Sequence, residues 1–365
     1  MSSPIQIHAG KTALAHICEH GLQAKDIAII PAAAGGPKGL ILQALDQWLF
    51  GEWLSSAPRE RSLIGASIGS WRMAAACRAN PVTGFQTLAE LYCEQRYSSK
   101  PSAQQVTEKI THLLHHFIAG HEQEIVEHPT HRLQIITARG RGLLHQPKND
   151  LQIKAGFAVA SLANLAGRKP LAKHMDRVVI GDARDPAPWL KNKFDSFDTH
   201  FCSLSQQNLM PALLASGTIP LLMEPVQHIP NTPVGTYWDG GIIDYHLALP
   251  YSHISSEASG GLVLYPHFTD HIVPGWLDKS LSWRRANAGQ HRDWLDNVIM
   301  VSPSRTFVQS LPRGKLPDRK DFTYYGLNHD ARIRQWKTAI AESARMRDAF
   351  AAFVARPDLS LVNSF

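Results

Sequence analysis

Cysteine is scarce in this sequence: Cys18, Cys77, Cys93 and Cys202 are its four, in a chain of 365 residues. None stands in a C-x-x-C pair, which argues against a zinc ribbon, a thioredoxin motif and a disulfide framework. A reducing compartment is the natural setting, and a cytoplasmic location is expected. Long apolar runs are also missing. The most apolar stretch, 209–223, is interrupted by Pro211, Gly217 and Pro220, and falls short of the roughly 20 residues a bilayer span needs. The first residues show no basic segment followed by an apolar one, so no secretory signal is expected. Blocks of like charge are absent. The net charge of +6, from 37 Lys and Arg against 31 Asp and Glu, is mild and favours no nucleic-acid partner. With 44% hydrophobic and 19% charged residues, the chain has the mix of a globular protein rather than a disordered one.

What is present is an alternation of short apolar runs and longer helical patterns. Residues 26–31, 61–66, 133–138, 177–182, 200–205, 261–266 and 297–302 read as strands. Residues 37–54, 69–79 and 331–354 read as helices, the second rich in small residues. Loops are expected at 146–150 and 185–188. This order predicts an α/β fold of three layers, α/β/α, around a mainly parallel sheet. No linker or repeat divides the chain, so one domain over 1–365 is expected.

Three short patterns carry chemistry. Ala32 to Gly39 reads A-A-A-G-G-P-K-G between a strand and a helix. Such a loop can aim backbone N–H groups at a phosphate or an oxyanion. It is not a P-loop, because Leu40 follows Gly39. Gly65-Ala66-Ser67-Ile68-Gly69 is a G-x-S-x-G pattern at a strand-to-helix junction, the context of a nucleophile elbow. Asp239, in Tyr237-Trp238-Asp239-Gly240-Gly241, ends an apolar segment and can take the proton that a serine nucleophile must lose.

Taken together, these patterns resemble the patatin-like phospholipase family. The resemblance rests on the loop 34–39, the elbow 65–69, the A-S-G-T-I-P segment 215–220 and the D-G-G at 239–241. It covers roughly 26–244, and nothing after Pro250 is recognisable. Ala34 stands where the family's loop has glycine, and Lys38 where arginine is commoner. Ile243-Asp244-Tyr245 replaces an asparagine-proline segment.

The resemblance implies a lipid acyl hydrolase with a Ser67–Asp239 dyad, no catalytic histidine and no metal or organic cofactor. Oxyanion or substrate contacts would come from Ala34, Gly35, Gly36 and Ile68, with Lys38 adding positive field. The substrate would be a lipid acyl ester, with transient contact to a lipid surface.

Other readings stay open. A Ser–His–Asp esterase or thioesterase could draw on His246 or His267 among the 19 histidines. A non-catalytic lipid-binding protein could keep the same fold. His112, His115 and His116 lie at helical spacing and read as a solvated face. The stretch 268–296, with Trp276, Trp283 and Trp294, reads either as ordinary packing or as a cover over the site. The basic region 305–337 reads as a solvated surface.

Overall fold

A computed structural model describes residues 3–185, 187–254, 261–288 and 291–365. Among the described residues ten strands form one sheet: β1 (Ile5–Ala9), β2 (Ile27–Ala32), β3 (Arg61–Ala66), β4 (His131–Gly140), β5 (Met175–Gly181), β6 (Thr199–Ser203), β7 (Tyr237–Asp239), β8 (Leu262–Pro266), β9 (Val298–Pro303) and β10 (Val362–Ser364). Their order is β10-β1-β9-β8-β2-β3-β4-β5-β6, with β7 paired to β4. The central pairs β9–β8, β8–β2, β2–β3 and β3–β4 are parallel. Antiparallel pairing joins β1 to β9 and sets β5 and β7 against β4. Helices layer on this sheet, giving the expected three-layer α/β/α fold.

Burial explains why the central strands read as continuous apolar runs. All residues of β3, β5, β8 and β9 are buried, as strands covered on both faces must be. The edge strand β6 has no fully buried position.

Several elements depart from the sequence reading. Residues 37–54 do not form one helix. A 3-10 turn, Gly36–Leu42, leads into the α-helix Gln43–Trp48 and then a π-helical turn, Leu49–Trp53. The long helix expected at 331–354 is two helices, His329–Glu342 and Ala344–Ala355. Ser343 sits at the junction. Its hydroxyl donates to the Ile340 carbonyl and accepts from the Ala44 N–H, so it binds the break to the core. β1, β7 and β10 escaped the sequence reading because they are only three to five residues long. Within the loop expected at 185–188, Pro186 lies outside the described residues, and Pro188 opens the short helix Pro188–Lys191. Positions 289 and 290 of the stretch 268–296 also lie outside them.

Candidate active site

β3 runs into the helix Ile68–Ala76 through Ser67, which takes φ 57° and ψ −132°. A non-glycine residue at such a positive φ is strained, and a strand that turns this sharply into a helix pushes its corner side chain outward. Gly69 makes the turn possible: a Cβ there would overlap the Ala32 carbonyl of the neighbouring strand.

The A-S-G-T-I-P segment holds the corner from the other side. Ser67 N–H donates to Ser216 Oγ at 2.9 Å, and Ser216 Oγ donates to the Ile136 carbonyl at 2.8 Å. Ser70 Oγ donates to the Ser67 carbonyl at 2.7 Å. Two residues beyond Ser216, the Thr218 carbonyl accepts the Asp239 N–H at 2.8 Å. One short segment therefore positions both Ser67 and Asp239. The sequence pattern marked the segment without disclosing this task.

The two side chains meet. Ser67 Oγ donates to Asp239 Oδ2 at 2.7 Å, and Asp239 Oδ1 accepts the Gly241 N–H at 2.7 Å. Ser67 is 4% exposed and Asp239 7% exposed. Burial raises the Asp239 pKa above the ordinary carboxylate value, while the Arg319 charge, the Ser67 and Gly241 hydrogen bonds and Lys279 pull it back.

The glycine loop lies beside them. Gly36 has φ 58°, a left-handed conformation that suits glycine, with the Arg319 and Tyr92 side chains close above it. The N–H groups of Gly35, Gly36 and Ile68 have no partner among the described residues. Ala34 differs. Its N–H donates to the Tyr245 carbonyl at 2.9 Å, so it lines the site but has no free donor. The Lys38 ammonium lies 5.6 Å from the Phe268 ring centroid and lines neither space beside Ser67, though its charge reaches Lys279. The cation next to Gly36 is Arg319, from the region read as solvated surface.

Two spaces open on Ser67. A cleft of about 820 Å³ has mainly apolar walls, including Val106, Ile110, Leu222, Met223, Phe322 and Leu327. Its size falls within the range of small-molecule sites. A smaller recess is lined by Asp239, Tyr245, Trp276, Lys279 and Arg319. Ser67, Ile219 and Arg319 border both. Much of Lys279 is open to solvent, but its ammonium sits 4.1 Å from the Tyr245 ring centroid and 5.5 Å from Trp276. Local burial and the charges of Lys38 and Arg319 push its pKa down to about 7.

The histidines stand apart. His246 and His267 are buried, and burial pushes both pKa values down, that of His267 to about 3. His246 Nδ1 faces the His271 carbonyl and the Val273 N–H, and His267 Nδ1 faces Thr269. No imidazole bonds to Ser67 or Asp239 among the described residues. His112 and His116 pair with each other on the helix Ala103–Ile118. Among the described residues no group of three His, Cys, Asp or Glu could hold a metal ion.

A search of curated proteins returned no significant match. The family model described as patatin-like phospholipase matches residues 35–249. That span contains Gly35–Gly39 of the glycine loop, the elbow, the A-S-G-T-I-P segment and the D-G-G, and leaves Ala34, Lys279 and Arg319 outside. The chain belongs to the patatin-like phospholipase family.

Proposed function

We propose that the protein is a serine hydrolase of lipid acyl esters in which Ser67 is the nucleophile and Asp239 the base. The observation that carries this reading is the 2.7 Å hydrogen bond from Ser67 Oγ to Asp239 Oδ2 at a strained elbow. A carboxylate made more basic by burial is a better acceptor for the serine proton than an exposed one.

Ser67 Oγ attacks the ester carbonyl and its proton passes to Asp239. The tetrahedral oxyanion falls to the free N–H groups of Gly35, Gly36 and Ile68, with the Arg319 charge adjacent. One such donor is worth about 2.7–4 kcal/mol. Collapse expels the alcohol, which takes the proton back from Asp239. Water then attacks the acyl-serine, giving its proton to Asp239, and the acid leaves as Ser67 is reprotonated.

The apolar cleft suits the acyl chain, and the recess that also borders Ser67, about 20 Å³ in volume, has room for little more than a water molecule. The test is turnover of a graded series of acyl esters. Long-chain esters should be cleaved, and Ser67→Ala should lower kcat by more than about 10³-fold with an unchanged circular-dichroism spectrum. Turnover by the folded variant at the wild-type rate would refute the assignment.

A further inference from the structure

The helix Asp150–Ala166 is apolar on the side that faces solvent. Its inner side packs Phe157 and Ala160 into a cluster with Trp238 and Ile242. Its outer side leaves Leu151 74% exposed, Leu162 66% and Leu165 62%, with Val159 and several alanines between them. A helix apolar all round belongs in a core or a membrane. This one has no protein covering its outer side among the described residues.

The surroundings indicate what covers it. Between residues 141 and 173 the only acid is Asp150, while Lys148, Lys154, Lys169 and Lys173 are all exposed. None of these lysines forms an ion pair among the described residues. Trp283, 69% exposed, extends the apolar surface. Its neighbour in the chain, Arg284, donates to the Asn164 and Leu165 carbonyls at the end of the helix.

The same helix end is tied to the recess. Asn164 and Arg168 donate to Asp278 at 2.8 and 2.9 Å, and Asp278 lies between Trp276 and Lys279 of the recess wall.

We propose that this face of the helix, with Trp283, docks in the plane of an anionic lipid surface. At 17 residues the helix is about 25 Å long, and no described helix is long and apolar enough to cross a membrane. Leucines with flanking lysines and an edge tryptophan are the chemistry of a helix lying in the interface. The lysines reach headgroups while their stems cover acyl chains. A second copy of the chain fits worse, because a two-fold contact would set these unpaired lysines against one another.

Co-sedimentation with vesicles tests this, and because its readout is binding it stands apart from the hydrolase reading. Wild type should bind phosphatidylglycerol-containing vesicles, bind pure phosphatidylcholine more weakly, and detach as salt rises. The double variant Leu162→Glu and Leu165→Glu should bind anionic vesicles at least about tenfold more weakly. Leu359→Glu, at an exposed leucine elsewhere, should bind like wild type. Lys154→Gln with Lys169→Gln should flatten the salt dependence, and melting curves verify that each variant folds. Absence of wild-type binding, or equal binding by the folded double glutamate variant, overturns the proposal. So does a lipid-free dimer that the glutamate variant converts to monomer, which would make a second copy the occupant.

Discussion

Asp239 is subject to two opposed influences. Burial raises its pKa, and the positive charge of Arg319 is the largest influence pulling it back. Removing that charge leaves the carboxylate less favoured. Arg319→Gln should therefore move the acidic limb of the pH profile of kcat/KM to higher pH, and Arg319→Lys should largely restore it. An unmoved limb would mean that Arg319 does not act on the base.

The stability consequence has the opposite sense to that of an ordinary paired carboxylate. A folded-state pKa above the unfolded one favours the protonated form on folding. The contribution is full below the unfolded pKa and is lost as pH rises through the folded one. Above its folded-state pKa the ionised Asp239 thus costs stability. Asp239→Asn should melt at or above the wild-type temperature there, with the difference shrinking as pH falls. The same variant should lose about 10²–10⁴-fold in turnover, because an amide cannot take the serine proton.

Ser67, Asp239, Gly35, Gly36 and Ile68 were legible in the sequence because each belongs to a contiguous pattern with its own backbone geometry. Arg319 and Lys279 were not. They reach the recess from separate segments after residue 250, and no local spacing marks a side chain whose role depends on where the fold delivers it.

At the scale of elements, the elbow that carries the proposed nucleophile is also a packing junction. Gly69 lets the helix Ile68–Ala76 approach β2, and the Ser70–Ser216 pair locks the helix to the A-S-G-T-I-P segment. Gly69→Ala should destabilise the protein by about 1–3 kcal/mol in urea unfolding, since a backbone carbonyl cannot yield as a side chain would. A loss below a few tenths of a kcal/mol would show that the junction relaxes freely.

The stretch with three tryptophans, read either as packing or as a cover, divides into different parts. Trp276 lines the recess, Trp283 points to solvent, and Trp294 packs on Phe194 with ring centroids 5.5 Å apart. The walls of the apolar cleft come instead mainly from residues 92–110, 217–223 and 319–329. Strands buried on both faces were easy to recognise from their composition. The broken helix at Ser343 was not, because its apolar period continues across a break set by a contact with Ala44.

At the scale of the molecule, the family match stops at Leu249, while the sheet does not. β8 and β9 lie between β2 and β1, so the segment after 250 supplies the middle of the sheet. Without it β2 would present an open edge and an apolar face to water. We therefore propose that the recognisable core and the C-terminal region fold as one unit. A fragment ending at residue 250 should be insoluble or melt without cooperativity. A soluble fragment with a cooperative transition would instead make the C-terminal region an appendage.

The central claim is that Ser67 is a nucleophile activated by Asp239. Its most direct measurement is labelling of the full-length protein with a fluorophosphonate, followed by mass mapping of the adduct. The adduct should fall on Ser67, vanish in Ser67→Ala and form at least about 10²-fold more slowly in Asp239→Asn. An adduct only on another residue, equal rates for wild type and Asp239→Asn, or no adduct on folded protein under conditions that label a control hydrolase would contradict it.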